Sequence, residues 1–157
     1  MLFWFVATSV LAISWVFRDP RFDHRWLILG ALLPDLVDGL FGGARVLHSV
    51  VGAVGVLIGV MLVTIGRRSV RKRLIAVPIG ILCHLVFDAA FATDHVFWWP
   101  FMGGFDDAPL PSVERGWWNL PLELVGIAGC WWIWRRARLA DPERRRAFVT
   151  RGALDLP

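Results

Sequence analysis

The chain has 157 residues and a mass of 17.7 kDa, room for a single domain. It is 57% hydrophobic and only 19% charged, with a mean hydropathy of +0.58, ten tryptophans, eleven phenylalanines and no tyrosine. That balance excludes a disordered chain and a disulfide scaffold, and it argues against a soluble globular domain. It predicts an all-α, polytopic transmembrane bundle with about five membrane segments.

Residues 1–17 lack a basic leader and a small-x-small cleavage site, so they read as a retained helix rather than a signal peptide. Residues 26–41 form a shorter apolar stretch interrupted by Pro34, Asp35 and Asp38, which reads as a broken span or a re-entrant segment. Residues 46–66, 74–93 and 117–134 complete the set. Roughly 20 residues at about 1.5 Å each cross a hydrocarbon layer of about 30 Å. The 94–116 loop is rich in Pro, Gly and Trp. This divides the chain into a transmembrane helical domain, 1–134, and a partly mobile, arginine-rich cytoplasmic tail, 135–157. Cys83 and Cys130 lie in apolar runs with no CxxC or CxxH spacing, as small buried hydrophobes do.

The net charge of +4 has a distribution. Of the 17 basic residues, all but Arg45 and Arg115 fall in three groups: 18–25, 67–73 and 135–151. With five crossings, the positive-inside rule places those groups in the cytoplasm and the N-terminus outside a bacterial plasma membrane. No nucleic-acid-binding motif accompanies the arginines, whereas anionic lipid headgroups are a partner they suit. Most of the tryptophans fall at predicted span ends, as an interfacial belt would.

Acids and histidines inside such stretches cost about 2.5–3.5 kcal/mol each on insertion scales, so each needs a reason. Asp35 and Asp38, three apart, share one helix face, where two unpaired carboxylates repel and a divalent cation relieves the conflict. His84 and Asp88, four apart, also share a face, and either can chelate a metal or orient the other. His48 begins the third stretch, and Glu123 lies about two turns inside the last. Counted from the predicted outer ends, all six meet in the outer half of the bilayer. The alternatives are a turn after Pro34, a packed His84, an Asp88–arginine pair such as one with Arg45, and a neutral Glu123 bonded to backbone freed by Pro121. His24 lies among charges and reads as solvated. His95 is a rim ligand or an interfacial residue.

Gly30-x-x-x-Pro34-Asp35-x-x-Asp38, Arg45-x-x-His48-Ser49, His84-x-x-x-Asp88 and Trp99-Pro100 occur in that order over residues 30–100. The series resembles the YdjM-like family of membrane-bound metal-dependent hydrolases, regarded as distant relatives of zinc-dependent phospholipase C and P1-type nucleases. The resemblance implies metal ligation by Asp35, Asp38, His48, His84 and Asp88, and phosphoester chemistry. A histidine that family members often carry near the chain start has no counterpart between Met1 and Val10, which leaves His95 or Glu123 to replace it.

Nitrogen and oxygen donors without cysteine suit zinc, with manganese or iron as alternatives. On this reading the protein is a metal-dependent hydrolase of the plasma membrane, its site facing the outer leaflet and a lipid or lipid-linked phosphoester as substrate. Asp38 or Glu123 would take the proton of water, and Arg45 would hold a phosphate oxygen. The competing reading is a non-enzymatic metal- or proton-handling membrane protein using the same residues as a relay.

Overall fold

In the computed structural model, which describes residues 1–19, 21–105 and 109–156, each of the five apolar stretches contains a helix. The order is α1 (Leu2–Phe17), α2 (His24–Leu40), α3 (Val50–Val63), α4 (Arg68–Leu74), α5 (Ala76–Phe87), α6 (Asp94–Phe97), α7 (Pro111–Glu114), α8 (Asn119–Arg136) and α9 (Pro142–Arg151). No strand occurs among the described residues. Side-chain caps mark several starts: Asp23 accepts from the Arg25 N–H at 3.3 Å, Ser49 from Gly52 at 2.9 Å, and Asp141 from Glu143 at 2.9 Å. The stretch expected to break at Pro34 instead runs through it as one helix of 17 residues.

The transmembrane expectation is overturned. No helix of the described residues is long and apolar enough to cross a membrane. Caps and turns make the helices shorter than the apolar stretches that contain them. Ser49 and Thr64 bound α3 at 14 residues, and a left-handed Ala89 (φ 52°) follows the 12 residues of α5. With 16 and 17 residues in α1 and α2, these four reach about 18–26 Å, short of the hydrocarbon thickness. The 18 residues of α8 include Glu123, Arg135 and Arg136. The plasma-membrane localisation, the cytoplasmic placement of the arginines, the outer-leaflet orientation and the tryptophan belt lose their basis with it. Much of the apolar surplus lies on outward faces, including Trp15, Leu40, Val63, Ile65 and Trp117.

Packing is set by backbone contacts. A Cβ on Gly30 of α2 would overlap the Val77 carbonyl oxygen of α5, and one on Gly80 would overlap the Leu27 carbonyl oxygen. Only glycine at both positions lets these parallel helices approach so closely. The same device joins α1 to α8, where Gly126 meets the backbone of Phe3 and Trp4. Neighbouring pairs fix direction: His24 meets Ser14, and Phe5 meets His84, so α2 and α5 run opposite to α1. One core gathers Val10, Ile13, Leu27, Ala76 and Ile133, and a second gathers Ala53, Ile81 and Leu85.

The arginine-rich segment after Trp134 is not a loose extension. Leu139 and Leu154 join the first core. His24, expected in solvent, is buried beneath this segment: Nδ1 lies 3.1 Å from the Gly152 carbonyl and Nε2 lies 3.2 Å from Ser14 Oγ. Arg25 reaches the Val149 carbonyl at 2.6 Å. Burial lowers the pKa of His24 despite these backbone bonds. A histidine flanked by charges in sequence thus becomes a core polar group, because a segment 128 residues away covers it.

Candidate metal centre

Asp38 organises the centre from within α2. Its Oδ2 accepts three hydrogen bonds: from the Arg45 N–H at 3.0 Å, the His48 N–H at 3.1 Å and His48 Nδ1 at 2.7 Å. These bonds fold the segment after α2 back over the helix. A carboxylate accepting at Nδ1 leaves the lone pair of a neutral His48 on Nε2, the form a metal ligand needs.

His84 is fixed in the same sense from α5. Its Nδ1 donates to the Ala31 carbonyl at 2.7 Å, a contact set by the Gly30–Gly80 approach just described. Phe5 covers the ring, with centroids 4.1 Å apart, and the His48 ring meets it edge-on at 5.2 Å. Phe5 thus brings an apolar ring from α1 against this centre.

Both Nε2 atoms face Asp35 Oδ1, each at 3.6 Å. Asp35, His48 and His84 each offer one ligand atom, all within 4.8 Å of one another. The three atoms are buried and have no hydrogen-bond partner, and neither does Asp88 Oδ2, 3.9 Å from His84 Nε2. Orphaned buried polar atoms are costly, and several converging on one point need a shared partner. Donors about 2.0–2.2 Å from a tetrahedral zinc stand roughly 3.4 Å apart, close to the 3.6 Å between Asp35 Oδ1 and each Nε2. Asp35, His48 and His84 therefore form a group that fits a metal ion.

The electrostatics agree. Burial opposes a charge on His48, but Asp35 and Asp38 raise its pKa from 6.5 to about 9. Burial also opposes ionisation of Asp35, yet His48 and His84 hold its carboxyl below the usual range. His84 is driven by burial to about 4, against the pull of Asp35. Without an ion, His48 carries the proton that an ion would displace.

The remaining sequence candidates separate. Asp88 is buried beside the group, and burial raises it to about 6 while Arg115 resists. Arg115 Nη2 is bonded to Asp88 Oδ1 and, at 2.9 Å, to the Asp88 carbonyl. Arg115 thus takes the place expected of Arg45. Its signal in the sequence was its isolation, as one of two cations outside the three basic groups. Arg45 itself is exposed and folds back on the Phe41 carbonyl at 3.1 and 3.2 Å.

Glu123 lies elsewhere. It accepts from the N–H groups of Leu2 and Phe3 at 3.1 Å and of Trp4 at 3.3 Å, so a carboxylate on α8 caps α1. His95 is exposed on α6, outside the group. The side chain of Asp35 is 23% exposed while those of His48 and His84 are at most 1%, so the group opens to the surface at Asp35. Comparison with known protein families, curated proteins and solved structures finds no match to this chain.

Proposed function

We propose that this protein is a metal-dependent hydrolase with zinc at Asp35, His48 and His84, acting on a phosphoester. The observation that carries the reading is the convergence of three buried, unpartnered ligand atoms whose two imidazoles are locked through Nδ1. Three protein donors with an open position are the pattern of catalytic zinc, whereas structural zinc is closed by four. The resemblance of the motif series to the YdjM-like family supports hydrolysis and the phosphoester class.

A divalent ion bound here supplies Lewis-acid polarisation and lowers the pKa of water to about 7. The chain's own residues supply the rest. Asp38 is a positioning residue, since its buried carboxylate is committed to His48 and the adjoining backbone. Asp88 is the proton acceptor, because Oδ2 is unpartnered beside the group while Oδ1 is held by Arg115. Arg115 keeps a positive charge at the site, where an anionic ester needs one.

The test is zinc content and turnover of bis(4-nitrophenyl) phosphate after chelation and reloading. We expect one zinc per chain and zinc-dependent hydrolysis, with both lost in Asp35→Ala and His84→Ala. Zinc retained by both variants would remove the site, and zinc binding without turnover of phosphoesters would remove the hydrolase reading.

A further inference from the structure

A second feature lies at the other end of α2. A cavity of about 410 Å³, lined by Arg21, Asp23, Ser69, Lys72, Arg73 and Arg151, opens where three chain segments meet. Arg21 precedes α2, Ser69, Lys72 and Arg73 belong to α4, and Arg151 ends α9. Asp23 is 12 residues from Asp35 along α2, about 18 Å at the helical rise, so this cavity and the metal centre are separate places.

The charges in the cavity are not balanced from within. Asp23 is the acid in its wall, and Arg25 occupies it through Nε at 3.0 Å and Nη2 at 2.8 Å. Among the described residues, no carboxylate lies within ion-pair distance of Arg21, Lys72, Arg73 or Arg151. All four cations are exposed and come from three segments to one concavity, and a cleft lined by one sign of charge concentrates counter-ions. The volume falls within the range of small-molecule sites. Arginine forks with a lysine and the Ser69 hydroxyl match the several oxygens of a phosphate group better than one carboxylate.

We propose that this cavity binds a compact phosphate-bearing anion with two or more negative charges. The phosphate belongs either to a free phosphorylated compound or to an anionic lipid headgroup, and the chemistry of recognition is common to both. Four cations around one concavity give an affinity that falls steeply with added salt.

The experiment is calorimetric titration of the full chain with inorganic pyrophosphate. Wild type is compared with Arg21→Gln/Arg151→Gln, Lys72→Gln/Arg73→Gln, and a control of equal charge loss outside the cavity, Arg135→Gln/Arg136→Gln. We expect saturable binding weakened at least tenfold by either cavity pair and less than threefold by the control. All four of these residues are exposed, and either pair remains informative if the other fails to fold. Sedimentation with vesicles containing phosphatidylinositol 4-phosphate, a phosphomonoester lipid, that the cavity pairs abolish identifies a lipid headgroup. Pyrophosphate binding without sedimentation identifies a free phosphate. No saturable binding to wild type, or equal weakening by the control pair, overturns the proposal.

Discussion

Asp38 Oδ2 stands 2.7 Å from His48 Nδ1 and also accepts the His48 backbone N–H, so one carboxylate oxygen fixes both the ring and the chain that carries it. Outer-shell partners of this type change metal affinity by about 10–100-fold. Asp38→Asn should weaken zinc binding by that factor in a competition titration with a chromogenic chelator, whereas Asp35→Ala should abolish it. Equal affinities in Asp38→Asn and wild type would show that the ring needs no such support.

The metal-free protein should lose stability as the pH rises. Burial opposes a charge on His48, but Asp35 and Asp38 raise its pKa from 6.5 to about 9. The folded chain then binds more protons than the unfolded chain between those values. The stabilisation is fully present below 6.5 and is lost as the pH passes 9. Melting in chelator should show Tm falling over this window. Zinc-loaded protein, in which His48 is already neutral, should lack that slope, and zinc affinity should rise with pH up to about 9. A flat Tm in chelator would contradict the pairing.

Glu123 offers a contrast, as a carboxylate that stabilises without entering the centre. Glu123→Ala leaves three N–H groups of the first turn of α1 without their acceptor. A lost cap of this kind costs about 1–2 kcal/mol. Urea unfolding should show that decrease while zinc affinity stays within twofold of wild type. A large loss of zinc would place Glu123 in the centre after all.

The α2–α5 contact should couple stability to metal binding. Gly80→Ala places a methyl group against the Leu27 carbonyl and the Ala31 N–H, where backbone rather than a flexible side chain must move. The expected cost is about 3 kcal/mol or more. Zinc affinity should fall as well, because Asp35 is on α2 and His84 on α5. Gly55→Ala in α3, where a Cβ meets nothing within 4 Å, is the control and should be close to neutral or stabilising.

Much of the centre was legible in local spacing. Pro34-Asp35-x-x-Asp38 and His84-x-x-x-Asp88 each place two groups on one helix face. Division of labour among those residues was not legible. Asp35 and Asp38 are the same residue type one turn apart, yet one faces the two imidazoles and the other is buried under the returning chain. Arg45, one turn before His48, was a better sequence neighbour than Arg115, which reaches Asp88 from 27 residues away. Apolar length misled most, because composition does not record where Ser49, Thr64 and Ala89 end the helices.

The sequence by itself determined that the chain is helical, which five apolar stretches contain its main helices, and which acids and histidines are available as ligands, since these follow from residue type and apolar runs. Only the tertiary structure decided that His48 and His84 turn their Nε2 atoms toward Asp35, that Glu123 caps α1, and that His24 is buried under the C-terminal segment. Those outcomes depend on backbone-to-backbone approach at Gly30 and Gly80 and on hydrogen bonds between distant segments, neither of which is encoded in local spacing.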